Sequence, residues 1–437
     1  MKHPKGLYLL FFTEMWERFS YYGMQALLMI YMVSSTAKGG LGWDAHTSGQ
    51  IYGAYVGLVY FTPLIGGYLA DRYLGSRLCI LIGAFLIVLG HFSLAFTTEY
   101  TFFLGLGLLV LGVGFFKANI SSVLGKLYPE GSPLVDSGYT IFYLSINIGS
   151  IFGTLLCAYL GERVGWHYGF GVAAIGMTLS FLVFYFGQGL LGEAGKASEK
   201  TNNSNSKINF STFSKVEKDR LWVIFILSTF SIIFWMAWEQ MGASVSIFAL
   251  SYTDRHIAFL NFEVPVGWFQ ALNPIFVSIF APFMAFLWNK LAASNRDFSI
   301  PVKILLGLFL MAIAFLILVI AAWGIAPGAA SASVSMWYLV AFYFFQVIAE
   351  ICQYPVSLSA VSKLSPKSIY SIMFGVYFTA IALGNYLAGA ISGFIEEVGK
   401  DLSLSWFFML SVIFLLASAL VMVMFIPKIK KMMHGVH

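Results

Sequence analysis

Residues Phe11 to Met24 read FFTEMWERFSYYGM, and this otherwise apolar stretch holds three charged side chains, Glu14, Glu17 and Arg18. An ionisable group at bilayer depth costs at least about 2.5–3.5 kcal/mol, so it faces a cavity or a partner and marks a functional site. The apolar flanks run from about residue 8 to residue 34, long enough for a helix to cross about 30 Å of hydrocarbon. On that helix Glu14, Arg18, Tyr21, Tyr22 and Gln25 share one face, with Glu17 alongside.

The rest of the chain has the same character. With 59% hydrophobic and 10% charged residues, the composition is that of a polytopic membrane protein, far from the averages of soluble domains. Apolar stretches of spanning length recur near 8–34, 47–70, 77–96, 101–124, 138–160 and 167–190, then near 220–250, 266–289, 301–323, 334–361, 369–395 and 403–426. Twelve crossings place both termini on one side. Residues 1–6 lead directly into a long charged span instead of a short apolar region with a cleavage site, so the first helix is expected to stay in the mature protein.

Lysine and arginine orient the chain. With a cytoplasmic N-terminus, nineteen fall inside (Lys2, Lys5, Arg72, Arg77, Lys126, Lys196, Lys200, Lys207, Lys215, Lys218, Arg220, Lys290, Arg296, Lys303, Lys363, Lys367, Lys428, Lys430 and Lys431) and only Lys38, Arg163, Arg255 and Lys400 fall outside. The net charge of +5 therefore reports topology and contact with the lipid bilayer, and argues for no nucleic-acid partner. Cys79, Cys157 and Cys352 lie far apart in or beside apolar helices, and the seven histidines are scattered, so neither a disulfide framework nor a metal site is expected. No serine, histidine and acid stand together at membrane depth, which argues against an intramembrane enzyme.

Residues 191–219 form the only long polar tract and read as a cytoplasmic linker. They divide the chain into an N-terminal six-helix bundle, 1–190, and a C-terminal one, 220–437, the arrangement of transporters whose halves rock around a site near the midplane. Gly53/Gly57, Gly149/Gly153 and Gly389/Gly393 have the spacing of close helix contacts. Beyond the first span, the charges at membrane depth are Lys117, Glu239 and Glu350. The fifth span carries a stripe of Tyr139, Tyr143, Asn147, Ser150 and Thr154; the tenth carries Tyr343, Gln346, Glu350, Gln353 or Tyr354, and Ser357; the seventh carries Trp235, Trp238, Glu239, Gly242 and Ser246. Such stripes suit a shared wet cavity. The bases Arg18 and Lys117 belong to the N-terminal half, and Glu239 and Glu350 to the C-terminal half, so the cavity is expected to be bipolar and to suit a zwitterion. The surplus of carboxylates favours proton binding, because a desolvated carboxylate without a partner takes up a proton more readily.

At this point a resemblance appears. Glu14 to Met24, EMWERFSYYGM, resembles the ExxERFxYYG signature of proton-dependent oligopeptide transporters, a branch of the major facilitator superfamily. Similar matches run along nearly the whole chain: GGYLADRYLGSR at 66–77, GFFKANISS at 114–122, FYLSINIGS at 142–150, Glu239-Gln240, Asn273-Pro274, and EICQYPVSLSAVSKLSP at 350–366. The resemblance implies an all-α membrane protein of that superfamily, with twelve transmembrane helices in two six-helix bundles, working by alternating access as a proton-coupled symporter of di- and tripeptides. It further implies that Arg18 and Lys117 hold the peptide carboxylate, that Asn147, Asn273 and Glu350 hold its amino end, and that Tyr21, Tyr22 and Tyr143 shape the pocket. Glu14, Glu17 and Arg18 are expected to couple protons, with Glu239 a further carrier; a Lys117–Glu350 contact is expected to gate, together with Asp71 and Arg72 at the cytoplasmic edge. No cofactor beyond the proton is expected, and the protein is expected to act as a monomer in the cell inner membrane.

Three features depart from the family pattern. The polar linker leaves no room for the two additional helices that many bacterial relatives carry between their halves. Gln25 replaces an arginine often found at its position, which weakens the positive end of the pocket. The segment near residues 324–333 is too short to hold the extracellular domain of animal relatives. A transporter of another anion or of a drug, and a receptor that binds peptide without moving it, are the alternatives. The joint presence of Lys117, Glu350, Asn147 and Asn273 favours peptides, because a simple anion needs no acidic subsite.

Overall fold

The computed structural model describes residues 3–96, 98–129, 132, 134–196, 213–294, 298–366 and 369–435. Lys2, Lys200, Lys207, Arg296, Lys367 and His437, and the middle of the expected linker, lie outside the described residues. The chain is a membrane-spanning helical protein. In order, the helices are α1 (Lys5–Val33), α2 (Ala45–Leu69), α3 (Ser76–Ala95), α4 (Glu99–Lys126), α5 (Val135–Arg163), α6 (Trp166–Gly187), α7 (Lys215–Trp238), α8 (Ser244–Ser251), α9 (Gly267–Ala293), α10 (Ile300–Ala322), α11 (Trp337–Leu364), α12 (Tyr370–Ser392), α13 (Ile395–Asp401) and α14 (Leu404–Met432). Eleven spans are long and apolar enough to cross a membrane by composition, α7 and α8 counting as one. Outside that set are the short α13 and α1; the 29 residues of α1 rise about 43 Å at 1.5 Å each, and its three internal charges set it apart.

Local chemistry accounts for the ends of several helices. Reciprocal capping boxes start α4 at Thr98/Thr101 and α7 at Ser214/Glu217. The last turn of α2 widens into one π-turn over Ala70–Leu74, closed by Gly75 N–H donating to the Ala70 carbonyl at 2.9 Å, and Gly75 leaves it at φ +76°. Part of the segment read as linker is docked: Arg77 donates from Nε to the Ala194 carbonyl (2.6 Å) and from Nη2 to that of Gly192 (2.5 Å). One expected span is discontinuous. Near 220–250 the helix stops at Trp238, passes through a 3-10 turn at Glu239–Gly242, and resumes as α8.

The chain forms two compact units. Unit 1 comprises Met1–Asp44, Leu58–Asn202 and Val264–Pro274. In it α1 lies against α5 and α6, and α3 against α4. Glycines permit that closeness: a Cβ on Gly149 would lie 2.1 Å from the Met15 carbonyl oxygen, and one on Gly153 at the same distance from that of Phe19. Tyr31 anchors one end of the unit among Phe102, Trp166 and Phe170. Burying such rings contributes about 1.5–3 kcal/mol each.

Unit 2 comprises Ala45–Gly57, Asn203–Glu263 and Ile275–His437. It stacks α7 on α12 and α10 on α11 and α14, around Phe248, Phe315, Phe342 and Phe408. The first half of α2 belongs here, with Gly53 facing Gly389 so closely that a Cβ on either meets backbone. Two short strand pairs complete the unit, Thr253–Asp254 with Val334–Ser335 and His256–Ile257 with Phe262–Glu263. On α14 Ile413, Phe414, Leu416, Leu420 and Met424 stand exposed, a face suited only to lipid.

Candidate functional site

The charged cluster of α1 is the centre of the site in unit 1. Glu14, Glu17 and Arg18 are each at most 4% exposed, and the helical spacing that made them one face brings them into contact. Arg18 grips Glu17 with two nitrogens, Nε on Oε2 and Nη2 on Oε1 at 2.8 Å, while Nε lies 3.1 Å from Glu14 Oε1. A bidentate guanidinium–carboxylate contact of this kind is among the strongest polar contacts a protein makes. The two acids are therefore unequal. Glu17 is held twice, whereas Glu14 is held through one oxygen and its Oε2 has no hydrogen-bond partner among the described residues.

Aromatic rings surround the guanidinium. Its carbon lies 5.3 Å from the Tyr21 ring centre and 5.9 Å from that of Tyr22, within reach of the attraction between a cation and a ring face. Lys117, on α4, sits 3.9 Å from the centre of the Tyr60 ring and close enough to Glu14 for their charges to interact. On α5 Tyr143 is exposed and Asn147 is 8% exposed, the latter donating weakly to the Tyr143 carbonyl at 3.5 Å. Asn273 belongs to the same unit, buried in α9, which runs through Pro274 without a break.

One anchor of α9 escapes sequence reading. The carboxylate of Glu162, near the end of α5, accepts from the backbone N–H groups of Val266 (2.8 Å) and Gly267 (2.9 Å), and the Trp268 indole donates to the Leu155 carbonyl at 2.9 Å. An anionic group on the first amides of a helix is the favoured partner of its dipole, so Glu162 fixes the start of the helix that carries Asn273. An apolar hollow of about 620 Å³ beside α1 and α5, lined by Trp16, Phe19, Phe152 and Trp268 among others, includes none of the expected site residues.

In unit 2 each of the two acids accepts a hydrogen bond from a neutral donor. Glu239 stands at the 3-10 break and accepts from the Tyr52 hydroxyl at 2.7 Å. Gly242 makes that possible, since a Cβ there would lie 1.9 Å from the Tyr52 oxygen. The turn is braced by Gln240, which accepts from Ser244 at 2.7 Å and donates to Ser411 at 3.4 Å. Glu350, on α11, accepts from the Trp238 indole at 2.8 Å, and Gln346 one turn away donates to the Trp238 carbonyl at 3.0 Å. In unit 1, Asp71 and Arg72 are exposed on the π-turn of α2, with Arg72 donating to the Tyr68 hydroxyl at 2.7 Å. Tyr52, Tyr60 and Glu162 were not anticipated. The tyrosines recur along α2, and that was the available signal.

Among the described residues no group of three His, Cys, Asp or Glu side chains is placed to hold a metal ion, and the three cysteine thiols are buried and unpaired with one another. Charged groups buried within helices of a nearly all-helical membrane protein, one of whose spans is broken, are the marks of secondary transporters.

Comparison with known proteins agrees. The model of the POT family (PTR2) matches residues 77–220 and 196–407. The chain is 33% identical to the uncharacterized transporter YclF of Bacillus subtilis (strain 168), over 99% of this chain and 96% of that protein. That alignment runs over 485 positions, more than the 437 residues here, so the relative carries inserted residues. It is 31% identical to the peptide transporter YePEPT of Yersinia enterocolitica subsp. palearctica serotype O:3 (strain YE-P4), again over 99% and 96% of the two chains. Among solved structures, a peptide transporter POT in complex with sulfate superposes with a TM-score of 0.87 at 31% identity, over 99% of this chain and 96% of that one. A POT family transporter in complex with 5-aminolevulinic acid gives 0.86 at 28% identity, over 98% and 97%. The chain belongs to the POT family of membrane transporters, with the helical fold of the major facilitator superfamily.

Proposed function

We propose that this protein imports di- and tripeptides together with protons by alternating access, in the cell inner membrane with both termini cytoplasmic and as a monomer. The observation that carries the reading is the buried Glu14–Arg18–Glu17 cluster, in which one cation is shared unequally by two carboxylates. A peptide carboxylate arriving at Arg18 competes with them, and Glu14, the more weakly held, takes the proton that releases its share. Lys117 assists at the carboxylate end; Asn147, Asn273 and Glu350 receive the ammonium end; Tyr21, Tyr22 and Tyr143 adapt to what lies between. Glu239 serves as a second proton carrier. Contact between Lys117 and Glu350, with Asp71 and Arg72, gates the passage as the six-helix halves, 1–190 and 220–437, rock about the linker 191–219.

Support for a zwitterionic substrate comes from the relatives: several are peptide transporters or dipeptide and tripeptide permeases, and one neighbour holds 5-aminolevulinic acid, a small molecule with separated amino and carboxylate ends. The driving force suffices, since one charge moved through 100 mV is worth about 2.3 kcal/mol, or nearly fiftyfold accumulation. The test is accumulation of labelled dialanine in proteoliposomes under an inward proton gradient. Uptake abolished by an uncoupler is expected; binding without accumulation would reject transport in favour of a receptor. In the same assay Glu350→Gln should impair peptide binding, and wild-type uptake in that variant would sink the amino-end assignment.

A further inference from the structure

In unit 2, where α7 begins and α14 ends, the surface carries a basic patch that peptide transport does not use. On α7 the exposed residues Lys215, Lys218, Trp222 and Phe225 follow one another at spacings of three, four and three. On α14 the exposed residues Lys431, Lys428, Met424 and Leu420 do so at spacings of three, four and four. Each set is one stripe of its helix, charged toward the helix end and apolar beyond. Trp222 is 63% exposed, Met424 73% and Leu420 65%. Both helices belong to spans long and apolar enough to cross a membrane, so the apolar part of each stripe faces lipid.

The two stripes are neighbours. α7 and α14 pack against each other, and their ends are clasped by His434, which donates from Nε2 to Asp219 Oδ2 at 2.7 Å. Asp219 adjoins Lys218 and His434 follows Lys431 by three residues, so the clasp borders both pairs of lysines. The acids at this end are already engaged: Asp219 holds His434, and Glu217 accepts from the Ser214 backbone N–H at 2.8 Å and from its hydroxyl at 2.9 Å. Other lysines at helix ends have partners within the protein, Lys196 on Glu193 and Lys303 over the Trp288 ring. Among the described residues Lys215, Lys218, Lys428 and Lys431 form no ion pair. Four like charges on adjoining helix ends repel one another unless an anion stands among them.

Depth narrows the choice of anion. At 1.5 Å per residue, Lys218 and Lys215 stand about 6 and 10 Å beyond Trp222 along the helix, and Lys428 and Lys431 about 6 and 10 Å beyond Met424. An exposed tryptophan at the end of a span marks the boundary between hydrocarbon and headgroups. Both pairs of lysines therefore lie at headgroup level, above apolar surface that only acyl chains cover. A soluble anion would answer the charge alone, whereas a phospholipid answers both parts of each stripe.

We propose that the joined ends of α7 and α14 bind an anionic phospholipid. Its phosphate lies among Lys215, Lys218, Lys428 and Lys431, and its acyl chains run along Trp222 and Met424. The His434–Asp219 clasp keeps the two pairs of lysines in register. The site stands whether or not the transported substrate is a peptide.

The test titrates the full chain in detergent with phosphatidylglycerol and with phosphatidylcholine of identical acyl chains, counting bound lipid by native mass spectrometry. Wild type should prefer phosphatidylglycerol by about tenfold or more, and replacing the four lysines by Gln should bring the two lipids within about twofold of each other. Replacing the same four by Arg should keep the preference. As a control of equal charge, Gln at the exposed Lys5, Lys126, Lys290 and Lys363, which lie at the ends of other helices, should leave it unchanged. A wild type without preference, or a Gln variant that keeps it, would overturn the site. Equal loss in the control would overturn it too, by showing a diffuse basic surface. Displacement of phosphatidylglycerol by excess inorganic phosphate would assign the lysines to a soluble anion and overturn the lipid. Should the fourfold Gln variant fail to fold, the pair Lys218→Gln and Lys431→Gln decides in its place, with an expected loss of preference of about threefold.

Discussion

Unit 1 buries two carboxylates, Glu14 and Glu17, whereas unit 2 holds one buried, Glu239, and one half-buried, Glu350, and the two units grip them differently. In unit 1 Glu14 and Glu17 share the guanidinium of Arg18; in unit 2 Glu239 and Glu350 accept from the neutral Tyr52 hydroxyl and Trp238 indole. The difference lies in what grips each acid within its own unit. A carboxylate held by a cation stays ionised at little cost, and removing the cation leaves buried charge uncompensated. Unit 1 thus suits competition for a cation, and unit 2 offers its acids directional hydrogen bonds from neutral groups.

The strongest test of that contrast is Arg18→Ala. It should destabilise the protein by about 3–5 kcal/mol, the usual cost of stranding a buried ionic partner, read as a lowered thermal unfolding midpoint in detergent. A midpoint equal to wild type would erase the distinction between the units. Tyr52→Phe comes next, at about 1–3 kcal/mol for a lost hydrogen bond to the buried Glu239, and Trp238→Phe follows at the lower end of that range because Glu350 is half-buried. Gly242→Ala should reproduce Tyr52→Phe, because the added methyl displaces the tyrosine oxygen from Glu239; a Gly242→Ala protein with normal stability and uptake would remove Tyr52 from the account.

Within unit 1, Glu17→Gln should cost about 1 kcal/mol more than Glu14→Gln, the worth of one additional hydrogen bond. Glu14→Gln should depress gradient-driven uptake more than counterflow, and equal loss in both would recast the triad as a static brace. The smallest effect is expected outside the spans. Lys196 at 2.7 Å holds the exposed Glu193 carboxyl below the usual carboxylate range. Its contribution is present above the ordinary carboxylate pKa and fades as the pH falls through the lowered value. Both groups are exposed, so Lys196→Ala should leave the unfolding midpoint unchanged across that range; a clear shift would show that the docked segment below Arg77 matters more than its exposure implies.

Much of the molecule was legible before any coordinates. The spans follow from apolar length, and α1 is legible as a site because three charges inside an apolar helix have no cheaper explanation. Their contact was legible too, since Glu14 and Arg18 stand one helical turn apart. Less visible was the break at Glu239, because nothing in WEQMGAS forbids continuous helix. The turn is set by Gly242 yielding to a tyrosine from α2 and by Gln240 reaching Ser411 of α14, contacts between residues far apart in sequence. The same holds for Glu162, whose neighbours in sequence give no hint that it caps a helix a hundred residues on.

By itself, then, the sequence determined the class of the protein, its spans and the chemical identity of its charged groups, because hydropathy and helical period act over neighbouring residues. Only the tertiary structure decided which donor each acid receives, that Glu14 and Glu17 are held unequally, and that the lysine-tipped stripes of α7 and α14 are clasped side by side. Those are properties of which helix faces meet, and a buried polar atom is satisfied or orphaned by what the facing helix offers.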